Sequence, residues 1–170
     1  MTGPTTARSP RPPAHDDLSS LLVTSPLAGS VVALSAVPDP VFSQQIVGPG
    51  IAIDPEPVEH SHVVAPADGR IGSLFPHAFA LETTSGRAIL VHLGIDTVNL
   101  RGDGFTLHVE AGAEVRRGDL VITWDPARVV AAGLSTVCPV VALQAEPDRV
   151  RVRATAGAAV VAQDPLFSWS

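Results

Sequence analysis

Sixteen prolines and fourteen glycines are spread along 170 residues, and their spacing constrains the fold more than any other feature. Proline removes a backbone donor and breaks a helix interior, and glycine weakens one. Long helices are therefore excluded. From Leu21 onward, apolar runs of four to eight residues alternate with turn signals at Pro26 to Gly29, Pro38 to Pro40, Gly48 to Gly50, Pro66 to Gly69, Thr84 to Gly86, Gly102 to Gly104 and Gly118-Asp119. Short apolar runs so punctuated predict an all-β fold, an antiparallel sandwich or barrel. One or two short helical turns are expected within it. The clearest covers Asp125 to Ala132, with Asp125 as N-cap, Pro126 in the first helical position and Gly133 at the C-terminal end.

This punctuation also explains a composition that first suggests a membrane. Hydrophobic residues make up 45% of the chain and charged residues 16%, and mean hydropathy is +0.28. Runs such as Ala88 to Val91 and Ala156 to Ala162 fall far short of the roughly 18 apolar residues a spanning helix needs, so the apolar excess belongs in short strands. The net charge is −6, all eleven basic residues are arginine, and no basic stripe forms, which argues against a nucleic-acid footprint. The single cysteine, Cys138, excludes an internal disulfide framework and fits a reducing compartment. Residues 1–20 hold Arg8, Arg11 and several prolines but no apolar segment of signal-peptide length. They read as a disordered tail on a cytoplasmic protein, with residues 21–170 as one domain.

The chain repeats itself. Glu110 to Trp124 aligns without gaps on Thr155 to Trp169, and Ser25-Pro-Leu-Ala-Gly29 echoes Ala65-Pro-Ala-Asp-Gly69. Two echoes imply a duplicated β motif with pseudo-symmetric halves. Trp124 and Trp169, at matching places in the repeat, are expected in the core.

The chemistry concentrates between Phe75 and Val98. Two strand-like runs flank the turn signal Thr84-Ser85-Gly86, and one histidine stands toward each outer end, which predicts a β-hairpin. With Thr84 and Ser85 as the loop, His77 stands directly opposite His92. With Ser85 and Gly86 as the loop, the two stay on one face but are displaced diagonally. Facing imidazoles have three uses. Neutral imidazole is a nucleophile near pH 7 that can accept and release a phosphoryl group, while a second ring stabilises the developing charge. A pair of imidazoles is also the start of a zinc site. Finally, both can be structural.

The segment Gly86-Arg-Ala-Ile-Leu-Val-His92-Leu-Gly-Ile-Asp96-Thr97-Val98 resembles the phosphorylation-site signature of the glucose-type IIA domains of the bacterial phosphoenolpyruvate:sugar phosphotransferase system. The likeness continues in order through Ser25 to Gly29, Val37-Pro-Asp-Pro-Val-Phe42, Gly48-Pro-Gly-Ile-Ala-Ile53, Val64 to Gly69 and Gly102-Asp-Gly-Phe105. It covers about residues 23 to 169. The resemblance implies an antiparallel β-sandwich of the duplicated hybrid motif type. It implies that His92 accepts a phosphoryl group from the small carrier protein HPr and passes it to a cysteine of a sugar-specific IIB domain of a permease. By the same resemblance His77 supports transfer without carrying the phosphate, and Asp96 is the polar residue close to the site. Val41, Phe42, Phe75 and Leu90 fall where the family has its apolar docking rim. No cofactor is required, although His77 and His92 are possible zinc ligands. One departure stands out: the family's threonine two residues before the second histidine is replaced by Phe75, in a segment two residues shorter.

Two other readings compete. A regulatory binding protein would dock on transporters or enzymes according to its phosphorylation state. A zinc hydrolase of related fold would use His60-Ser-His62 and the His92/Asp96 spacing, although the family order is reversed and His60 and His62 read as a polar loop. Gly48-Pro-Gly50 is a tight turn with neither the spacing nor the lysine of a phosphate loop. Cys138 reads as a buried inert thiol, His108 as a strand-surface histidine, and His15 belongs to the tail.

Overall fold

The structure, a computed structural model, describes residues 20–170. The tail expected over residues 1–20, with His15, lies outside the described residues except for Ser20. Fourteen short strands follow in order: β1 (Leu21–Thr24), β2 (Gly29–Val32), β3 (Gly50–Asp54), β4 (Ser61–Val64), β5 (Gly69–Phe75), β6 (Ala78–Glu82) and β7 (Ala88–His92). Then come β8 (Phe105–Leu107), β9 (Glu114–Val115), β10 (Leu120–Trp124), β11 (Cys138–Ala142), β12 (Val150–Val152), β13 (Ala159–Val160) and β14 (Pro165–Trp169). Two short α-helices interrupt them, α1 (Pro40–Ser43) and α2 (Pro126–Ala131). The expected cap of α2 is present, since the Asp125 side chain accepts from the Arg128 N–H, and Gly133 follows with φ +77°.

All strand pairs are antiparallel. They form an eight-stranded sheet ordered β13-β2-β3-β11-β7-β6-β5-β9 and two three-stranded sheets, β1-β14-β12 and β4-β10-β8. This order shows the duplication at work: β1 to β3 and β12 to β14 in one half correspond to β4 to β6 and β8 to β10 in the other, and the halves join at β7 and β11. The aligned repeat places β9 and β10 on β13 and β14 residue for residue. Turn glycines match as well, with Gly112 at φ +90° and Gly157 at +88°. The junction is reciprocal: the Thr24 N–H donates to the Pro66 carbonyl at 3.0 Å, and the Val64 N–H donates to the Pro26 carbonyl at 2.8 Å. Both echoes read from the sequence are therefore elements of one pseudo-twofold fold, and no sheet closes into a barrel.

The main core lies between the sheets. Trp124, Phe79, Phe167, Leu81, Ile89 and Val91 are among its fully or nearly fully buried side chains, each stabilising by about 1.5–3 kcal/mol. Trp169 joins them at 7% exposure, so both repeat tryptophans are core. Cys138 is also buried, and burial pushes its thiol well above the ordinary range, as an inert thiol requires. Where strands approach closely, the sequence has glycine. A Cβ added to Gly69 would lie 2.3 Å from the Glu82 carbonyl oxygen, and one on the equivalent Gly29 would lie 2.4 Å from that of Asp54. Gly69→Ala and Gly29→Ala should each lower stability by about 1–3 kcal/mol, the usual cost of overpacking. Chemical denaturation checks this, and unchanged midpoints in both variants would show that the strand contact yields freely.

The halves differ most in one connection. β5 and β6 are joined tightly through Pro76 and His77. The equivalent link from β2 to β3 is long and folds over the outer face of the large sheet as a 3-10 turn (Leu34–Ala36) followed by α1. There it makes a second, smaller core, in which Leu34, Val37 and Phe42 pack with Ala52, Ile95 and Val141.

Candidate functional site

The site is built on that outer face, at the end of β7. Strand alternation sends Ile89 and Val91 into the main core and leaves Leu90 and His92 facing outward, both partly buried. The chain then turns at Gly94, φ +76°, bringing the Gly94 carbonyl 2.6 Å from His92 Nδ1. A carbonyl only accepts, so Nδ1 carries the proton and Nε2 holds a free lone pair. Glycine is required here: an added Cβ would sit 2.6 Å from Thr97 Cγ2 and 2.8 Å from the Ser135 carbonyl. Buried Thr97 closes the turn by donating from Oγ1 to the Leu93 carbonyl at 2.6 Å.

His77 reaches the same place by a route the sequence did not reveal. Ala78, not His77, pairs with His92 across β6 and β7, so neither expected hairpin register is the one adopted. The loop has three residues, Thr84 to Gly86, with Gly86 at φ +81° and the Thr83 N–H donating to the Arg87 carbonyl at 2.9 Å. A type I turn completed by a left-handed glycine gives this loop length. On a pleated strand the shift would put His77 on the opposite face. His77 escapes because it belongs to the β5–β6 turn. Its carbonyl accepts from the Leu93 N–H at 2.7 Å, which docks the turn beside β7. The two rings meet edge to face with centroids 5.2 Å apart. Phe75 stands 6.0 Å from the His77 ring, and among the described residues no side chain hydrogen-bonds that ring. The backbone bond holds the turn, and Phe75 stands where the family's threonine was expected.

Burial holds both imidazoles below the ordinary value of 6.5. For His77 the adjacent His92 adds to the lowering. For His92 the Gly94 hydrogen bond and the carboxylates of Asp39 and Asp96 oppose it without overcoming it. Both rings are therefore neutral near pH 7. Asp96 is exposed, with φ +61°, and makes no capping bond to the 3-10 turn that it precedes, so its carboxylate is left to act on His92. Asp39 was not singled out in the sequence. It caps α1 by accepting from the Val41 N–H at 2.9 Å, and α1 in turn lays Phe42 on His92 with ring centroids 5.3 Å apart.

The expected apolar rim divides. Val41 and Phe75 are exposed, Leu90 is partly buried, and Phe42 is buried beneath them at 6%. Two exposed apolar residues were not singled out in the sequence: Ile46, 66% exposed just after α1, and Val98, 59% exposed beyond Asp96. An exposed apolar residue has no local signature, because only the fold says which face it occupies. The zinc-hydrolase ligands are not brought together, since no group of three metal-ligating side chains occurs among the described residues. His62 lies on β4 rather than in a loop, with its ring bonded to Thr123. His108 is exposed just beyond β8.

A family model described as phosphoenolpyruvate-dependent sugar phosphotransferase system, EIIA 1, matches residues 21–147. The chain is similar in structure to the glucose permease IIA from Mycoplasma capricolum. That similarity has a TM-score of 0.79 and 32% sequence identity, and it covers 88% of this chain and 95% of that one. No helix among the described residues is long and apolar enough to cross a membrane. With this family match and the structural similarity in agreement, the chain belongs to the EIIA 1 family, the phosphocarrier components of the sugar phosphotransferase system.

Proposed function

We propose that His92 Nε2 is the phosphoryl acceptor, that the donor is the phosphohistidine of HPr, and that the next acceptor is the cysteine of a IIB domain of a glucose-class permease. One observation carries this reading: Nδ1 is committed to Gly94, so the remaining lone pair on Nε2 is the nucleophile, beside an exposed apolar rim. In the first step that lone pair forms a bond to phosphorus as the donor's P–N bond breaks and returns its electrons to the donor imidazole. In the second, a cysteine thiolate attacks phosphorus and the lone pair returns to Nε2. Neither step needs a proton moved at Nδ1. The transition state is loose, with charge spread over the phosphoryl oxygens, and a ring N–H of His77 beside it stabilises that charge. Asp39 and Asp96 repel the phosphoryl group, which favours passing it on. The rim of Val41, Ile46, Phe75 and Val98 lets a protein partner exclude water during transfer.

Incubation with phosphoenolpyruvate, Enzyme I and HPr should add one acid-labile, alkali-stable phosphate per chain. Absence of uptake would sink the carrier assignment to this site. The same face also supports regulation, with the unphosphorylated chain docking on another protein. Zinc held there would have two protein ligands, His77 and His92, and would draw the rest from the partner.

A further inference from the structure

A second pair of histidines meets on a different sheet from His92. On the outer face of the β4-β10-β8 sheet, His62 Nδ1 lies 3.2 Å from Thr123 Oγ1 and His108 Nε2 lies 2.7 Å from the same oxygen. The placement follows from register: Thr123 pairs with His62 on β4 and with Thr106 on β8, and His108 follows Thr106 by two residues on the same side. Both rings are exposed. Beside them opens a depression of about 470 Å³ lined in part by Glu56, His60 and His62.

The pseudo-twofold shows how much of this the fold itself needs. The residues equivalent to Thr123 and His108 are Ser168 and Arg153, and there too the basic side chain meets the hydroxyl, with Arg153 Nε donating to Ser168 Oγ. One contact between a hydroxyl and a basic group thus ties the outer strands in each half. The residue equivalent to His62 is Leu22, paired with Ser168 on β1, and it supplies no such group. His62 is therefore surplus to the structural tie, and it brings a second imidazole nitrogen to the same oxygen.

We propose that His62 and His108 form a binding site for a borderline-soft divalent cation such as Zn²⁺, Ni²⁺ or Cu²⁺, separate from the phosphoryl site. Two imidazoles suit these ions and not Mg²⁺ or Ca²⁺, which prefer oxygen ligands. Because both nitrogens converge on one hydroxyl, rotating the rings from Thr123 toward each other moves them toward the ~2.0–2.1 Å of a Zn–N bond without backbone movement. Water completes the coordination.

The test is a Zn²⁺ titration of the full chain followed through the histidine ring NMR signals, with Mg²⁺ as control. The His62 and His108 signals should move together and saturate at one ion for the pair, with no response to Mg²⁺. In His62→Gln and His108→Gln, which keep a polar partner for Thr123, the remaining ring should need about tenfold more zinc or more. Phosphoryl uptake should be unchanged in both variants, which separates this site from His92. The proposal is overturned if these two signals stay still while His77 and His92 respond, or if either ring binds equally well without the other.

Discussion

His92→Gln should lower phosphoryl uptake from phospho-HPr by on the order of a thousandfold or more while the chain stays folded, since loss of a covalent nucleophile is among the largest single-residue effects. Glutamine can still donate to the Gly94 carbonyl, and His92 is only partly buried on the outer face, so Phe42 and Leu90 keep their packing. What disappears is the lone pair at Nε2. Retained uptake with an unchanged acid-labile product would place the phosphate on another residue. The pH dependence of the wild type gives an independent check. Because the His92 value is lowered from 6.5, chiefly by burial, uptake should hold on the acid side of 6.5 before it declines. The same depression at both rings means the unfolded chain binds protons there that the folded chain does not. Stability should therefore fall as pH drops from about 6.5 toward the lowered folded values. In His92→Gln the remaining His77 loses a like-charged neighbour and should titrate closer to its ordinary value, while still held below it by burial.

The fold was legible in the sequence because its signals are local and doubled. Proline and glycine fix where strands end, and the gapless match of Glu110–Trp124 to Thr155–Trp169 reproduces two strand pairs in the structure. The Asp125-Pro126 start of α2 is legible for the same reason, since a cap needs only adjacent residues. Register was less legible. The choice between a two-residue and a three-residue loop at Thr84 to Gly86 depends on Gly86 taking a left-handed conformation, which the sequence permits but does not compel. The site survived that error because His77 sits in a turn, outside the strand alternation that would have turned it away. Asp39 and Ile46 were invisible for a different reason. Pro38-Asp39-Pro40 announces a turn, but its approach to His92 depends on a long connection folding back over a sheet, a contact far apart in sequence.

His77→Ala should separate the two halves of the carrier cycle. The variant should still accept phosphate at His92, because the Gly94 bond that exposes Nε2 does not involve His77. Donation to the IIB cysteine should slow by about a hundredfold to a thousandfold, the usual loss when one donor to a developing oxyanion is removed. The fold should tolerate the change: the turn is held by the backbone bond from Leu93 to the His77 carbonyl, which alanine keeps, and the ring has no side-chain hydrogen bond to lose among the described residues. Single-turnover transfer from the isotopically labelled phosphoprotein measures the second step alone. Equal losses in uptake and donation would mean that the ring positions His92 rather than the phosphoryl group. A near-normal donation rate would mean that Phe75, standing where the family has threonine, leaves His77 too loosely oriented to act.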